Sequence, residues 1–223
     1  MFCISCGKET DIKVRKCIHC GFDLTHIQKL IENDEPEEDD VEDEFRTAKE
    51  CAIRCVVLYC VVAAGNGENK SRIISWLKEQ NLWNATSPEE KDFLTTRKPE
   101  RSQVINATWR IEALSVLLWA LEKVKSATDL SESCDVSEVQ AACRFFLKDA
   151  ADFINFAHLR DEAEVEDLYE EIYQAHWEIR DAQIHNRPAP DEYISGVVME
   201  RHYALNWLTG YLSQDWDDIT TDT

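Results

Sequence analysis

Glycine and proline are scarce, six and five in 223 residues. That scarcity argues against collagen-like, low-complexity and turn-rich β architectures. Basic residues are also short, with 24 Lys and Arg against 44 Asp and Glu and a formal net charge of −20. So acidic a chain has no general grip on DNA, RNA or anionic lipid, because phosphate binding needs a basic surface. The longest apolar run, Cys55 to Ala64, has ten residues, about half of the roughly 20 that a membrane-crossing helix needs. The N-terminal MFCISCGKET lacks the apolar core of a secretory signal. No H-E-x-x-H, E-x-x-H, nucleophile elbow or dinucleotide fingerprint occurs.

What remains is a chain with enough apolar content for a core, 44%, and nine cysteines. Four of them form Cys3-x2-Cys6 and Cys17-x2-Cys20, each pair followed by Gly (Gly7, Gly21). Glycine tolerates the positive φ of a knuckle whose backbone N–H groups point at thiolate sulfur. Four thiolates in this spacing suit one structural Zn²⁺, with no position left open for catalysis. A 24-residue segment cannot bury a core, so residues 1–24 read as a zinc ribbon held by its metal. His19, inside a knuckle, reads as a surface residue. The other cysteines (Cys51, Cys55, Cys60, Cys134, Cys143) fall in apolar helical stretches and read as core thiols, which points to a reducing cytoplasm.

Residues 32–44 carry ten acids and no base. Residues 25–44 therefore read as an acidic, self-repelling linker. From residue 45 the pattern is helical. Helices are predicted over 45–64, 70–80, from Ser87, over 102–125, from Ser137 to about Leu159, over 162–186 and over 191–212. Ser87-Pro88-Glu89-Glu90 is a complete helix start, with Ser as N-cap and Glu90 closing a capping box. The 102–125 segment is apolar nearly all round and is expected at the centre. Val165, Leu168, Tyr169, Ile172, His176 and Ile179 share one helical face. Gly65-x-Gly67-x2-Lys70-Ser71 reads as a helix-ending loop, since Asn69 stands where a phosphate loop needs Gly. The fold class is mainly α, a compact multi-helix domain over 45–223 behind a small zinc ribbon.

Several stretches carry a family resemblance: SWLKEQNLWNATSPEEKDFL, TWRIEALSVLLWAL, AHWEIRDAQ, GVVMERHYALNWL and the C-terminal WDDITTDT. On them, residues from about Phe45 resemble the bacterial domain-of-unknown-function family 4272. The resemblance implies a mainly helical fold and no particular reaction. The ribbon and the linker lie outside it.

Polar residues cluster in the same stretches. Arg110 and Glu112 interrupt an apolar helix two residues apart, so they face different ways and each needs a partner elsewhere. His176 with Arg180, Trp177 with Asp181, and His202 with Asn206 share faces, beside Glu200 and Arg201. Asp217, Asp218 and Asp222 end the chain. One reading gathers His176, Arg180, Asp181, Glu200, Arg201 and His202 into an acid–base or anion-binding site. The other is an ion-pair network that pins the C-terminal tail near Arg180 and Arg201, with Arg110 paired to an acid from residues 200–222. The second is preferred, because charges paired between helices are commoner than catalytic sites.

Residues 161–181 hold nine acids, a face suited to a basic protein. The function expected first is therefore protein interaction without catalysis, in its sharpest form an immunity or inhibitor protein that neutralises a basic bacterial effector. An enzyme built around His176, Arg180, Glu200 and His202 is the first alternative. A ribbon-tethered adaptor of transcription or translation machinery is the second.

Overall fold

The computed structural model describes residues 8–9, 16–20, 44–125 and 128–223. The chain divides into two units, residues 1–42 and 43–223. In the first, Glu9 and Lys16 carry single bridge pairings, and a ring nitrogen of the exposed His19 lies 3.1 Å from the Glu9 carbonyl oxygen. Cys17 is buried and Cys20 exposed. Cys3, Cys6, Gly7, Gly21 and most of the acidic segment lie outside the described residues.

Among its described residues the second unit has eight α-helices: α1 (Ala48–Gly65), α2 (Lys70–Glu79), α3 (Pro88–Thr95), α4 (Arg101–Ala120), α5 (Val136–Ala142), α6 (Ala151–Asn155), α7 (Glu162–Ile184) and α8 (Ser195–Thr209). No β-strand occurs among the described residues, and no helix there is long and apolar enough to cross a membrane. α4 packs against α1 on one side and α8 on another, and α7 covers α8. The smaller α2, α3 and α6 pack on α1, and α5 on α4.

The helix starts follow local chemistry. Thr47 and Glu50 form a capping box on α1, and Ser87 and Glu90 form one on α3, with Pro88 in the first turn. Each box gives partners to N–H groups that a first helical turn leaves unpaired. α8 stops at Gly210, whose φ of +80° closes the helix in the left-handed region. A Cβ there would stand 2.2 Å from the Glu44 carbonyl oxygen. Glycine thus lets the strap before α1 cross the end of α8, where Arg46 N–H donates to the Leu208 carbonyl at 2.8 Å.

Three predicted helices are corrected. The 102–125 helix ends at Ala120, and only its C-terminal half, Glu112–Ala120, is continuously buried. Ile105 and Trp109 of its first half are exposed. The 137–159 helix is broken. Asp135, not Ser137, is its N-cap, accepting from Ser137 N–H at 2.8 Å, and it ends at Ala142. The chain then turns through Leu147 at φ +56°. Trp76 of α2 donates its indole N–H to the Lys148 carbonyl at 2.6 Å, and Gln80 accepts from Ala150 N–H at 3.1 Å. These side-chain bonds compete with the helical ladder. They hold Phe145 and Phe146 against Tyr59, with ring centroids 6.2 and 5.1 Å apart. The last helix spans Ser195–Thr209 and not 191–212, because Ile194 N–H is held by the Leu130 carbonyl at 2.9 Å and not by a helical ladder, and Gly210 stops the other end.

Cys51, Cys55, Cys60, Cys134 and Cys143 are all buried. Burial pushes the Cys55, Cys60 and Cys143 thiols well up, and Cys134 to about 12. They stay protonated at neutral pH, as core thiols do.

Candidate functional site

The polar centre of the helical unit lies along the α4–α8 seam. Arg110 Nη1 meets Glu200 Oε2 at 3.1 Å, so the expected pairing of Arg110 with an acid from 200–222 is present. The guanidinium lies over the Tyr203 ring, 4.2 Å from its centroid. Burial raises the Glu200 pKa, against the opposing pull of Arg110. Two residues on, Glu112 Oε2 accepts from Arg201 Nη2 at 2.9 Å. Arg201 also donates to the carbonyls of Asp129 at 2.6 Å and Glu132 at 3.3 Å, while Glu112 accepts from Cys134 N–H at 3.0 Å. This buried pair therefore ties the 129–134 loop to the seam.

A third pair was not foreseen. Arg54 of α1 donates to both carboxylate oxygens of Glu90 at 2.7 and 2.6 Å, and both side chains are buried. Glu90 thus closes the α3 capping box and holds an arginine with one carboxylate. The available signal was Arg54 itself, a charge set at the edge of the longest apolar run.

Glu200, Arg201 and His202 are consecutive on α8, so their side chains diverge. Glu200 goes to Arg110 and Arg201 to Glu112. His202 faces α7, where its Nδ1 lies 2.8 Å from His176 Nδ1. One ring must donate and the other accept, so two neutral imidazoles satisfy the contact. The rings of Tyr169 and Tyr173 meet His202 edge-on at 5.8 and 5.7 Å. Burial, then His176, lowers the His202 pKa to about 4, and burial with Arg180 lowers that of His176. Arg180 is exposed and reaches Gln183 at 3.2 Å. Asp181 pairs with Arg187 and, at 3.0 Å, with His185. Of the six candidate residues, only His176 and His202 share a hydrogen bond among the described contacts, with Arg180 close enough to His176 to act on its charge.

The tail is held differently from the expectation. Neither Arg180 nor Arg201 pairs with a tail acid. Trp216 is the anchor, buried with edge contacts to Tyr203 and Trp207 at 5.0 and 5.6 Å. Arg54 stacks over it at 4.7 Å and Arg110 at 5.5 Å. Tyr203 OH donates to the Trp216 carbonyl, and Asn206 Nδ2 to the Thr220 carbonyl at 2.6 Å. Asp217 accepts from Glu89 N–H at 2.9 Å, adding a partner at the start of α3. Arginine stacked on tryptophan, with acceptors at carbonyls, spares the tail the desolvation of a second set of buried ion pairs.

Beside Trp216 and Asp217 a groove of about 530 Å³ opens between α3 and α4. Buried Val61, Phe93, Ala107 and Trp216 give it an apolar lining, and Arg110 lines it as well. A second hollow, about 590 Å³ at the end of α1, contains none of the candidate residues. Lys70 of the glycine-containing loop nearby stacks on Phe93 at 3.8 Å and donates to the Thr96 carbonyl at 3.3 Å. That loop ends one helix and begins another, with Asn69 as the N-cap of α2. No group of three metal-ligating side chains occurs among the described residues.

Comparison with known proteins shows a family. Residues 26–219 match the Domain of unknown function (DUF4272), most of the chain, and the protein belongs to that family. The match begins at residue 26, so most of the acidic segment lies inside the family's span and not outside it, as the resemblance had suggested. No curated protein and no solved structure matches the chain.

Proposed function

We propose that the protein is a non-catalytic docking protein for a basic partner, in its sharpest form an immunity or inhibitor protein that neutralises a cationic bacterial effector. The observation that carries this reading is the outer stripe of α7. Glu166, Glu170, Tyr173, Trp177 and Ile184 recur at helical spacing and all are exposed. Exposed Glu162, Asp167 and Glu171 lie beside them. None of these acids joins an ion pair among the described residues. Unneutralised carboxylates speed encounter with a cationic surface, and half-exposed tyrosine and tryptophan are the side chains that most often anchor an interface. The divergence of Glu200, Arg201 and His202 gives the enzyme alternative less support.

A second element of the proposal is the zinc ribbon. The Cys3, Cys6, Cys17 and Cys20 spacing supports it, as does the burial of Cys17 in so short a segment. Metal analysis of the purified chain is expected to give one zinc per molecule, and Cys17→Ser is expected to lose it. In the adaptor alternative, deleting residues 1–31 abolishes partner binding.

The test uses the full chain as bait in host lysate, with low-salt and then high-salt washes. A captured basic protein is then purified and titrated with E166Q/E170Q and Y173A/W177A variants. The expected result is release at high salt and about tenfold weaker binding by each variant. Equal binding by wild type and both variants overturns the reading.

A further inference from the structure

We infer that the groove between α3 and α4 is a receptor for a guanidinium group, an arginine side chain carried by a basic protein. This goes beyond the α7 stripe, and it rests on the docking reading only for the source of the arginine. The groove's volume of about 530 Å³ falls in the range of small-ligand sites. Its apolar lining suits the aliphatic stem of a long cationic side chain. Glu89, Asp92 and Asp217 also line it, as do the amides of Gln103 and Asn106.

Charge decides the occupant. The two arginines near the groove are already committed, Arg54 to Glu90 and Arg110 to Glu200. Those four charges cancel in pairs. Glu89, Asp92 and Asp217 then remain, and none of them joins an ion pair among the described residues. Asp92 accepts from Gln103 at 3.0 Å and Asp217 from a backbone N–H, so their hydrogen-bond partners are neutral. Lys70 contributes some positive potential at Asp92, but its ammonium donates to the Phe93 and Thr96 carbonyls and makes no ion pair with that acid. An anion entering here meets three carboxylates that no cation pairs directly, and a neutral ligand leaves them so.

Guanidinium fits better than ammonium because its planar fork can bond two acceptors at once. The protein uses the same arrangement one layer deeper, where Arg54 holds both oxygens of Glu90 and stacks on Trp216.

The test titrates the full-length protein with a terminally blocked Gly-Arg-Gly peptide, and with the same peptide carrying neutral citrulline. Amide and indole resonances report the binding. Saturable shifts are expected at Trp216, Asn106 and Gln103 with arginine, and binding at least about tenfold weaker with citrulline. E89Q/D92N, at two exposed positions, is expected to keep the wild-type melting temperature and weaken the arginine peptide about tenfold. Equal responses to the two peptides, or shifts confined to other surfaces, overturn the inference. The two readings also separate with the captured partner. If it binds E89Q/D92N like wild type but loses E166Q/E170Q, the groove inference fails alone. If the reverse holds, the groove stands and the α7 reading fails.

Discussion

Glu112 of α4 and Arg201 of α8 meet at 2.9 Å with almost no solvent on either side chain. The pair also supplies acceptors and donors to the 129–134 loop. Arg201→Met leaves Glu112 buried and charged and is expected to cost about 3–5 kcal/mol. The paired change E112L/R201M removes both charges but strands the Asp129 and Glu132 carbonyls and the Cys134 N–H. It is therefore expected to remain about 1–3 kcal/mol below wild type. Urea unfolding of the four proteins in the cycle measures both quantities. A double variant as stable as wild type would mean that the loop gains nothing from the pair.

The two facing histidines make stability depend on pH. His202 is fully buried against His176, Tyr169 and Tyr173, with Asn206 and Asp222 near it and Arg180 near His176. Its folded pKa of about 4 lies below the ordinary 6.5. Between those values the unfolded chain binds a proton that the native site refuses. Stability is therefore full above pH 6.5 and declines as pH falls toward 4, by roughly 3 kcal/mol at the lower limit. His202→Gln is expected to flatten that part of the profile. Unfolding midpoints from pH 7 to 4 check it, and parallel profiles for the two proteins would remove His202 as the cause.

Much of this arrangement was legible from residue patterns. Ser87-Pro88-Glu90 marked a helix start because capping uses adjacent residues. Val165, Leu168, Ile172, His176 and Ile179 marked a buried face because burial on one helix follows its period. Arg110 required a distant acid because a charge in an apolar helix must be paired. The break between α5 and α6 was hidden, since it depends on Trp76 and Gln80 bonding backbone more than 60 residues away. The divergence of Glu200, Arg201 and His202 follows from their adjacency on one helix, but which partner each meets depends on how α4 and α7 flank α8. Arg54 with Glu90 was hidden for the same reason, being 36 residues apart on helices whose packing no local pattern sets.

Trp216 is the residue on which the tail depends. Its ring touches Tyr203 and Trp207 by their edges and lies under Arg54 and Arg110, so one side chain joins α1, α4, α8 and the C-terminus. Trp216→Ala is expected to cost about 3–5 kcal/mol, from lost burial and the cavity left behind. It also uncovers the buried Arg54–Glu90 pair. Trp216→Phe keeps an aromatic face for the arginines and is expected to cost less. Equilibrium unfolding ranks the variants, and hydrogen exchange at Thr220 reads whether the tail has loosened. The Thr220 N–H is held by Gln214 at 2.9 Å, so its exchange should quicken in the alanine variant while α4 stays protected. A Trp216→Ala protein within about 1 kcal/mol of wild type, with Thr220 unchanged, would show that the backbone bonds of the tail hold it without the ring.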